Sequence, residues 1–589
     1  MTRLTPVCLV LFLIVGCGDD SSMPDAGDAS ADDAGRADAA TDAGRTDGAT
    51  DAGRMDAATD AGRPDASLPP LPDCDMGALG ATGAVHYVCD CGAGADADCV
   101  PGDDANDGSD AANAQRSYDA ARTAFGALAA GDTVALCRGG AFSATGGNRW
   151  VNMSCRADTP CIVRPYDAPW ASGDEAKPVI RLDGNGRVFA FEDGGDPDHD
   201  EGYALLDLDL EGSGQGWAVF VYNDADDITM CGLVLNNFSI GVHVGGSNPP
   251  VGGASDGRNA RIVLRNSRVT NNEGQGWLGG CDGCAVEGSQ FENNGFGKAV
   301  FNHNIYFSGS DSAGTTGMRA VGNDLYRSAV IDGTCQGVSL VVHGEHDGLL
   351  IEGNRVHEDV GAAGPGCWGI AVDTGYGEAE GFRNLTIRGN TVVNVGNIGI
   401  GIDACEDCVI ENNVVVNEQD FGSTAIAVPD RDRDAADLEM TRVTVRNNSI
   451  YSSSRGTGIR VEGEGAGHVV VSNAIYYAGA ASFACFGLGL AQSSYRVVDN
   501  NLCAGPTASA FEWVQGAGDL AAWQGASSFD VSSAEVDPAF SSPAGPSYDL
   551  RPADASSPCV GGGHPTESSV TDIDGATRDS EPDVGAYEF

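Results

Sequence analysis

Residues 385–403 read LTIRGNTVVNVGNIGIGID. Apolar and polar residues alternate over Leu385–Arg388, stop at Gly389-Asn390, resume over Thr391–Val393, turn again at Asn394–Asn397, and resume from Ile398 to Ile402. A period of two means strands, because successive side chains of an extended chain point to opposite faces. Alternation, a Gly or Asn turn and renewed alternation make up one coil of a solenoid.

The unit recurs on both sides. An apolar residue followed three places later by Asn appears as Val234 to Asn237, Val263 to Asn266, Ile351 to Asn354, Ile387 to Asn390, Ile410 to Asn413, Val445 to Asn448, Val470 to Asn473 and Val498 to Asn501. Leu206 to Asp209, Val286 to Ser289 and Ala320 to Asn323 are variants of it. Spacings in the twenties and thirties of residues suit solenoid repeats carrying loops of different length. Short strands repeating in one direction stack as a parallel β-helix, with Val and Ile filling the lumen and the Asn column forming a hydrogen-bonded ladder at a turn.

These motifs resemble the pectate-lyase-like superfamily of right-handed parallel β-helices, over about residues 202–505. The resemblance implies an all-β solenoid of about ten to twelve coils with a cap at each end. Val85–Val88, Gly102–Gly108, a helical stretch near Ala114–Leu128 and Gly131–Val134 resemble the N-terminal cap of such proteins, so residues 74–201 are expected to hold that cap and the first coils. Asp537–Phe540, Tyr548–Pro552 and Pro582–Phe589 resemble their C-terminal tail, expected over 506–589.

A second strand aligns through its Gly-apolar-x-apolar pattern: GVHVGG from Gly241, NIYFSG from Asn304, SLVVHG from Ser339, GIAVDT from Gly369, GIGIDA from Gly399, AIAVPD from Ala425 and GIRVEG from Gly458. With Ile370, Ile400 and Ile459 inward, the outward column is Gly245, Ser308, His343, Asp373, Asp403, Pro429 and Glu462. Two places earlier a second outward column holds His243, Tyr306, Val341, Ala371, Gly401, Ala427 and Arg460. Coils about 4.8 Å apart bring these residues into one strip.

Tyr306, His343, Asp373 and Asp403 are the expected catalytic residues, and His303, Asn304, Glu345, His346, Arg460 and Glu462 the expected substrate contacts. Hydrolysis of a glycosidic bond needs an acid and a carboxylate, for which Asp373 and Asp403 on adjacent coils are placed. Elimination beside a uronate needs a base and charge neutralisation, for which Ca²⁺ is the expected cofactor. Gly369, Ala371, Gly399 and Gly401 are expected to leave room for a sugar chain. The alternative for the whole strip is a solvated outer face. The only two lysines, Lys177 and Lys298, lie off it, a departure from the several β-helix lyases that use a lysine base, and leave His or Tyr as the candidate base. Of the polygalacturonase motifs only Val342-His343-Gly344 has a counterpart.

The ends point to export. Arg3, the apolar run Val7–Val15 and Ile14-Val15-Gly16-Cys17 resemble a bacterial lipoprotein signal: residues 1–16 are expected to be removed and Cys17 lipidated, the alternative being an ordinary secretory signal. Gly18 after the cysteine points to the outer membrane and cell surface of a Gram-negative bacterium. Residues 17–73, with TDAGR repeated from Thr41, Thr50 and Thr59, offer no core and are expected to form a disordered tether. Of 19 cysteines, those other than Cys8 and Cys17 number 19 − 2 = 17, so disulfides are expected with at least one thiol left over. Cys281/Cys284 and Cys405/Cys408 invite a zinc reading, but they are 405 − 281 = 124 residues apart, on the order of 20 Å along the coils; local disulfides are expected instead. Asp103–Gly108 is read as an Asx-rich turn, with Ca²⁺ as the alternative. A net charge of −52 and a pI near 4.1 exclude nucleic acid as a partner. The expected partner is an extracellular polysaccharide, met by a monomer either as an enzyme or as a non-catalytic adhesion platform.

Overall fold

Three long sheets span Val85 to Val514 in the computed structural model, which describes residues 74, 83–145, 149–192, 201–246, 257–309, 314–429, 433–506 and 510–589. The expected signal, Cys17 and the expected tether lie outside the described residues. The first sheet has 14 strands, the second 13, and the third 15, of which 12 follow one another coil by coil. Every pairing along these three paths is parallel, as in Ile351↔Ile387↔Ile410↔Val445↔Val470 of the first sheet. The chain is a right-handed parallel β-helix.

The lumen is filled by aligned aliphatic stacks. Leu340, Ile370, Ile400, Ile426 and Ile459 of the third sheet are 0% exposed and register partners in that order. Each such side chain contributes roughly 1.5–3 kcal/mol by burial. Gly369 and Gly399 face this lumen: a Cβ on Gly369 would lie 2.4 Å from the Gly399 carbonyl oxygen and 2.8 Å from Val392. The expectation that they open space for a sugar is therefore corrected. Their small size serves close contact between coils, and only Ala371 and Gly401 lie on the outer face.

At the turn from the first to the second sheet the ladder runs Asn323, Asn354, Asn390, Asn413, Asn448, Asn473, Asn501, each Oδ1 accepting both the backbone N–H and a side-chain N–H of the Asn before it. Ser289 and Ser267 continue it. Asn237, Asn266 and Asp209 do not belong to it. Asn266 holds a left-handed turn (φ 49°) with Ser267 as the rung, Asn237 (φ 64°) follows a strand of the second sheet, and Asp209 begins one.

The N-terminal end is covered by the helix Tyr118–Phe125, capped by Ser117, with Phe125 packed edge-on against Trp150 and Tyr203. The C-terminal end is closed by the helix Leu520–Ser527 and by Asp530, which accepts from the indoles of Trp513 and Trp523. The tail then returns along the outside, where Leu550, Ala586 and Tyr587 cover Val393, Val414, Val416 and Tyr451.

Eight disulfides bind 16 of the 17 described cysteines, including Cys281–Cys284 and Cys405–Cys408, and leave Cys559 as a buried thiol. Cys74 joins Cys231 on the outer face of the first sheet, where the bond packs on Ile162, Ala204 and Leu206. In the loop 103–108, the Asp103 and Asp107 carboxylates accept from Ala105 and Ser109 two residues on, as in an Asx turn.

Candidate functional site

The third sheet has the register expected for the strip. Tyr306, Val341, Ala371, Gly401, Ala427 and Arg460 are consecutive partners. Ser308 pairs with His343, and the next residues of the following coils are Asp373 and Asp403.

His343, Tyr306 and Asp373 come together. Nδ1–H of His343 donates to the Asp373 carbonyl at 2.6 Å, and the Asp373 Oδ1 is 3.6 Å from the same nitrogen. That contact assigns the proton of the neutral ring to Nδ1 and leaves Nε2 as the acceptor. The Tyr306 ring stands edge-on to the imidazole at 5.5 Å, and its hydroxyl is hydrogen-bonded at 2.7 Å to that of Tyr376.

Tyr376 belongs to the strap 374–380, which crosses the strip before the chain re-enters the solenoid. Gly375 lies on the imidazole so closely that a Cβ there would be 2.6 Å from the ring. Glu380, 2% exposed, holds the strap: its carboxylate accepts from the backbone N–H groups of Gly375 at 2.6 Å, Tyr376 and Gly344, and its own N–H donates to Asp437. Burial raises the Glu380 pKa, against the lowering effect of those N–H donors and of His343. Trp368, Val341, Ala371 and Leu278 complete an apolar patch beside Tyr306, and a Cβ on Gly401 would meet the Trp368 ring at 3.7 Å. Tyr376, Glu380 and Trp368 escape sequence reasoning. The only signal for the strap is the long coil from Asn354 to Asn390, against the 23 residues from Asn390 to Asn413.

Other expected residues are placed differently. Asp403 has the expected register but is 1% exposed, its Oδ1 accepting from the Ala404 N–H at 2.9 Å. Its expected role at the surface is corrected accordingly. Asn304 is 0% exposed and joins an inner network with Asn294 and Ser339. His303, 3% exposed, donates from Nδ1–H to the Val338 carbonyl at 3.0 Å, and burial lowers its pKa to about 3. His346, 3% exposed, bonds to Thr315 and the His343 carbonyl, and burial lowers it to about 4. His303, Asn304 and His346 thus support the strip from beneath and do not face a ligand. Glu345 is partly exposed. Arg460 and Glu462, 3.8 Å apart, lie several coils away from His343.

Among the described residues, the groups of three ligand-type side chains within 4.8 Å are Cys89/Cys99/Cys137 and Cys335/Glu358/Cys367, whose cysteines are all disulfide-bonded. Neither of these groups lies on the strip.

The family described as Right handed beta helix region matches residues 368–518. No curated protein matches the sequence. Similar solved structures include the Dettilon tailspike protein, at 11% identity and TM-score 0.44, covering 64% of this chain and 63% of that one. They also include the Azotobacter vinelandii mannuronan C-5 epimerase AlgE6 A-module (17%, TM-score 0.41, 71% of this chain and 93% of that one) and pectate lyase Pel9A (13%, TM-score 0.35, 87% and 98%). This chain thus spans less than two thirds of the tailspike.

Proposed function

We propose that the third-sheet strip binds an extracellular polysaccharide containing uronic acids and cleaves it by β-elimination. The observation that carries this reading is the His343–Tyr306–Tyr376 constellation: an imidazole with its proton fixed on Nδ1 beside a hydrogen-bonded phenol. Nε2 of His343 takes the proton at C5, the C–H electrons form the C4=C5 bond, the C4–O bond breaks, and the Tyr306 hydroxyl protonates the departing oxygen. The uronate carboxyl is needed because it acidifies the C5 proton. Trp368 and Tyr376 offer ring faces for a pyranose. Hydrolysis by an Asp373/Asp403 pair is disfavoured by the burial of Asp403. No step is assigned to Ca²⁺, and the cation enters as an assay variable.

The chain is further proposed to act as a monomer lipidated at Cys17, on the cell surface of a Gram-negative bacterium; the apolar run before Cys17 and the repetitive segment after it support this.

The test incubates the protein with pectins, alginates and glycosaminoglycans, with and without Ca²⁺, and records unsaturated-product absorbance and reducing ends. Unsaturated product lost in His343→Ala is the expected result. Reducing ends without unsaturation would replace elimination by hydrolysis. The second reading, a non-catalytic glycan platform, draws on Tyr306 being only 7% exposed; binding without product would establish it.

A further inference from the structure

Two disulfides of the N-terminal cap lie against each other. Cys89–Cys137 ties the end of the outermost strand of the first sheet, Val85–Val88, to the end of its neighbour, Thr133–Cys137, and its two cysteines are only 2% and 0% exposed. Cys91–Cys99 closes a short loop of small and acidic residues at the surface, and both of its cysteines are partly exposed. The Cys99 sulfur stands within 4.8 Å of the sulfurs of Cys89 and Cys137 alike, the one place among the described residues where three cysteine sulfurs come so close.

A disulfide opens when a thiolate attacks one of its sulfurs, so a third sulfur at this range becomes a nucleophile beside its target once its own bond is cut. Burial shields Cys89–Cys137 from thiols in solution, whereas Cys91–Cys99 is open to them. Backbone bonds hold Cys99 in place independently of its disulfide. Its N–H donates to the Asp96 carbonyl at 3.1 Å, and the Gly102 N–H donates to the Cys89 carbonyl at 2.8 Å. The Val100 carbonyl, next to Cys99 in the chain, lies 3.5 Å from the Cys89 sulfur, so the Cys89 end of the buried bond faces that segment.

We propose that these two bonds form a thiol–disulfide exchange site, through which a small dithiol reacting only at the surface opens the buried Cys89–Cys137 bond. One thiolate of the dithiol attacks the Cys91 sulfur, forms a mixed disulfide with it and expels Cys99 as a thiolate. Cys99 attacks Cys89, the Cys89–Cys99 bond forms, and Cys137 leaves and takes up a proton. The second thiolate of the dithiol then attacks its partner sulfur in the mixed disulfide, closes a cyclic disulfide and expels Cys91, which takes up the other proton. Two electrons pass from the dithiol to the protein, and its two thiol protons end on Cys91 and Cys137. No covalent tie then joins the outermost strand of the first sheet to its neighbour, so the cap is loosened from its surface inward.

Limiting dithiothreitol added to the native full chain, followed by acid quenching, alkylation and peptide mass spectrometry, tests it. The Cys89–Cys137 crosslink is expected to disappear together with Cys91–Cys99, a Cys89–Cys99 crosslink to replace it, and alkylated Cys91 and Cys137 to appear with faster amide exchange over Val85–Val88. In the double variant Cys91→Ser/Cys99→Ser, whose melting temperature checks the fold, Cys89–Cys137 should be lost at least about ten-fold more slowly, because the internal nucleophile is gone. Cys91→Ser alone leaves Cys99 as a thiol beside the buried bond and should rearrange to Cys89–Cys99 with no dithiol added. Loss of Cys91–Cys99 while Cys89–Cys137 stays intact would overturn the proposal. So would equal loss of Cys89–Cys137 in wild type and double variant, or an unrearranged Cys89–Cys137 bond in Cys91→Ser.

Discussion

Replacing Asn390 by Ala takes one rung from the middle of the buried ladder. The Asn390 Oδ1 accepts from Asn354 N–H and Nδ2–H at 2.9 Å each, while its Nδ2 donates to the Ile351 carbonyl at 2.9 Å and to the Asn413 Oδ1 at 3.0 Å. Ala leaves the Asn354 N–H without that acceptor and the Ile351 carbonyl without that donor, in a site where Asn354 is 1% and Asn390 0% exposed. Each of the two orphaned buried groups costs about 1–3 kcal/mol and each of the two lost amide–amide bonds about 1 kcal/mol, so destabilisation by about 4–8 kcal/mol is expected. Guanidinium unfolding followed by circular dichroism and by tryptophan fluorescence measures it; coincidence of the two probes licenses a single free energy. Gln290→Ala on the exposed face of the second sheet is the control, expected within about 0.5 kcal/mol. A cost for Asn390→Ala below about 1 kcal/mol would refute the claim that the ladder holds adjacent coils together.

Four more outcomes are expected. Burial raises the Glu358 pKa from 4.5 to about 8; a raised folded pKa stabilises below the unfolded value and is lost as pH rises through about 8, so melting temperature should fall across that window and Glu358→Gln should flatten the fall. Asp403→Ala should cost about 1–3 kcal/mol in chemical denaturation by orphaning the Ala404 N–H, whereas Asp373→Asn should stay within about 0.5 kcal/mol. Glu380→Ala should speed amide exchange at Gly375 and Tyr376, seen by mass spectrometry, and lower turnover, because the strap loses the carboxylate that holds it over His343. Thiol titration of residues 74–589 should find one reactive group per chain, Cys559, only after unfolding; two or more would contradict the disulfide pairing.

The solenoid was legible because its lumen repeats: Ile387, Ile410 and Val445 must face inward in every coil, and period two then assigns the outward columns of the third sheet, which carry Tyr306, His343 and Asp373. The ladder was misplaced where two roles share one residue type. Asn serves both as the left-handed turn residue, as at Asn412 and Asn447, and as the rung, as at Asn413 and Asn448. Where Gly takes the turn, as at Gly389, the rung is unambiguous; at Asn266 it is not. Burial of Asp403 depends on neighbouring coils and loops, which leave no periodic trace in its own strand. The strap with Tyr376 and Glu380 is non-repetitive and answers to no period at all.

The bond between Cys74 and Cys231 changes how the molecule carries mechanical load. A pull arriving from the N-terminal side of Cys74 would otherwise enter at the first strand, Val85–Val88, and peel the solenoid open one coil at a time from its cap. With the crosslink in place the force bypasses the 157-residue span between the two cysteines and enters at Cys231, at the end of a strand flanked on both sides by parallel neighbours. Rupture then requires shearing a strand from the interior of a sheet, not unzipping one from its edge, and the N-terminal cap stays out of the load path. Reduction of this one disulfide should therefore lower the force at which the chain yields far more than it lowers stability at rest.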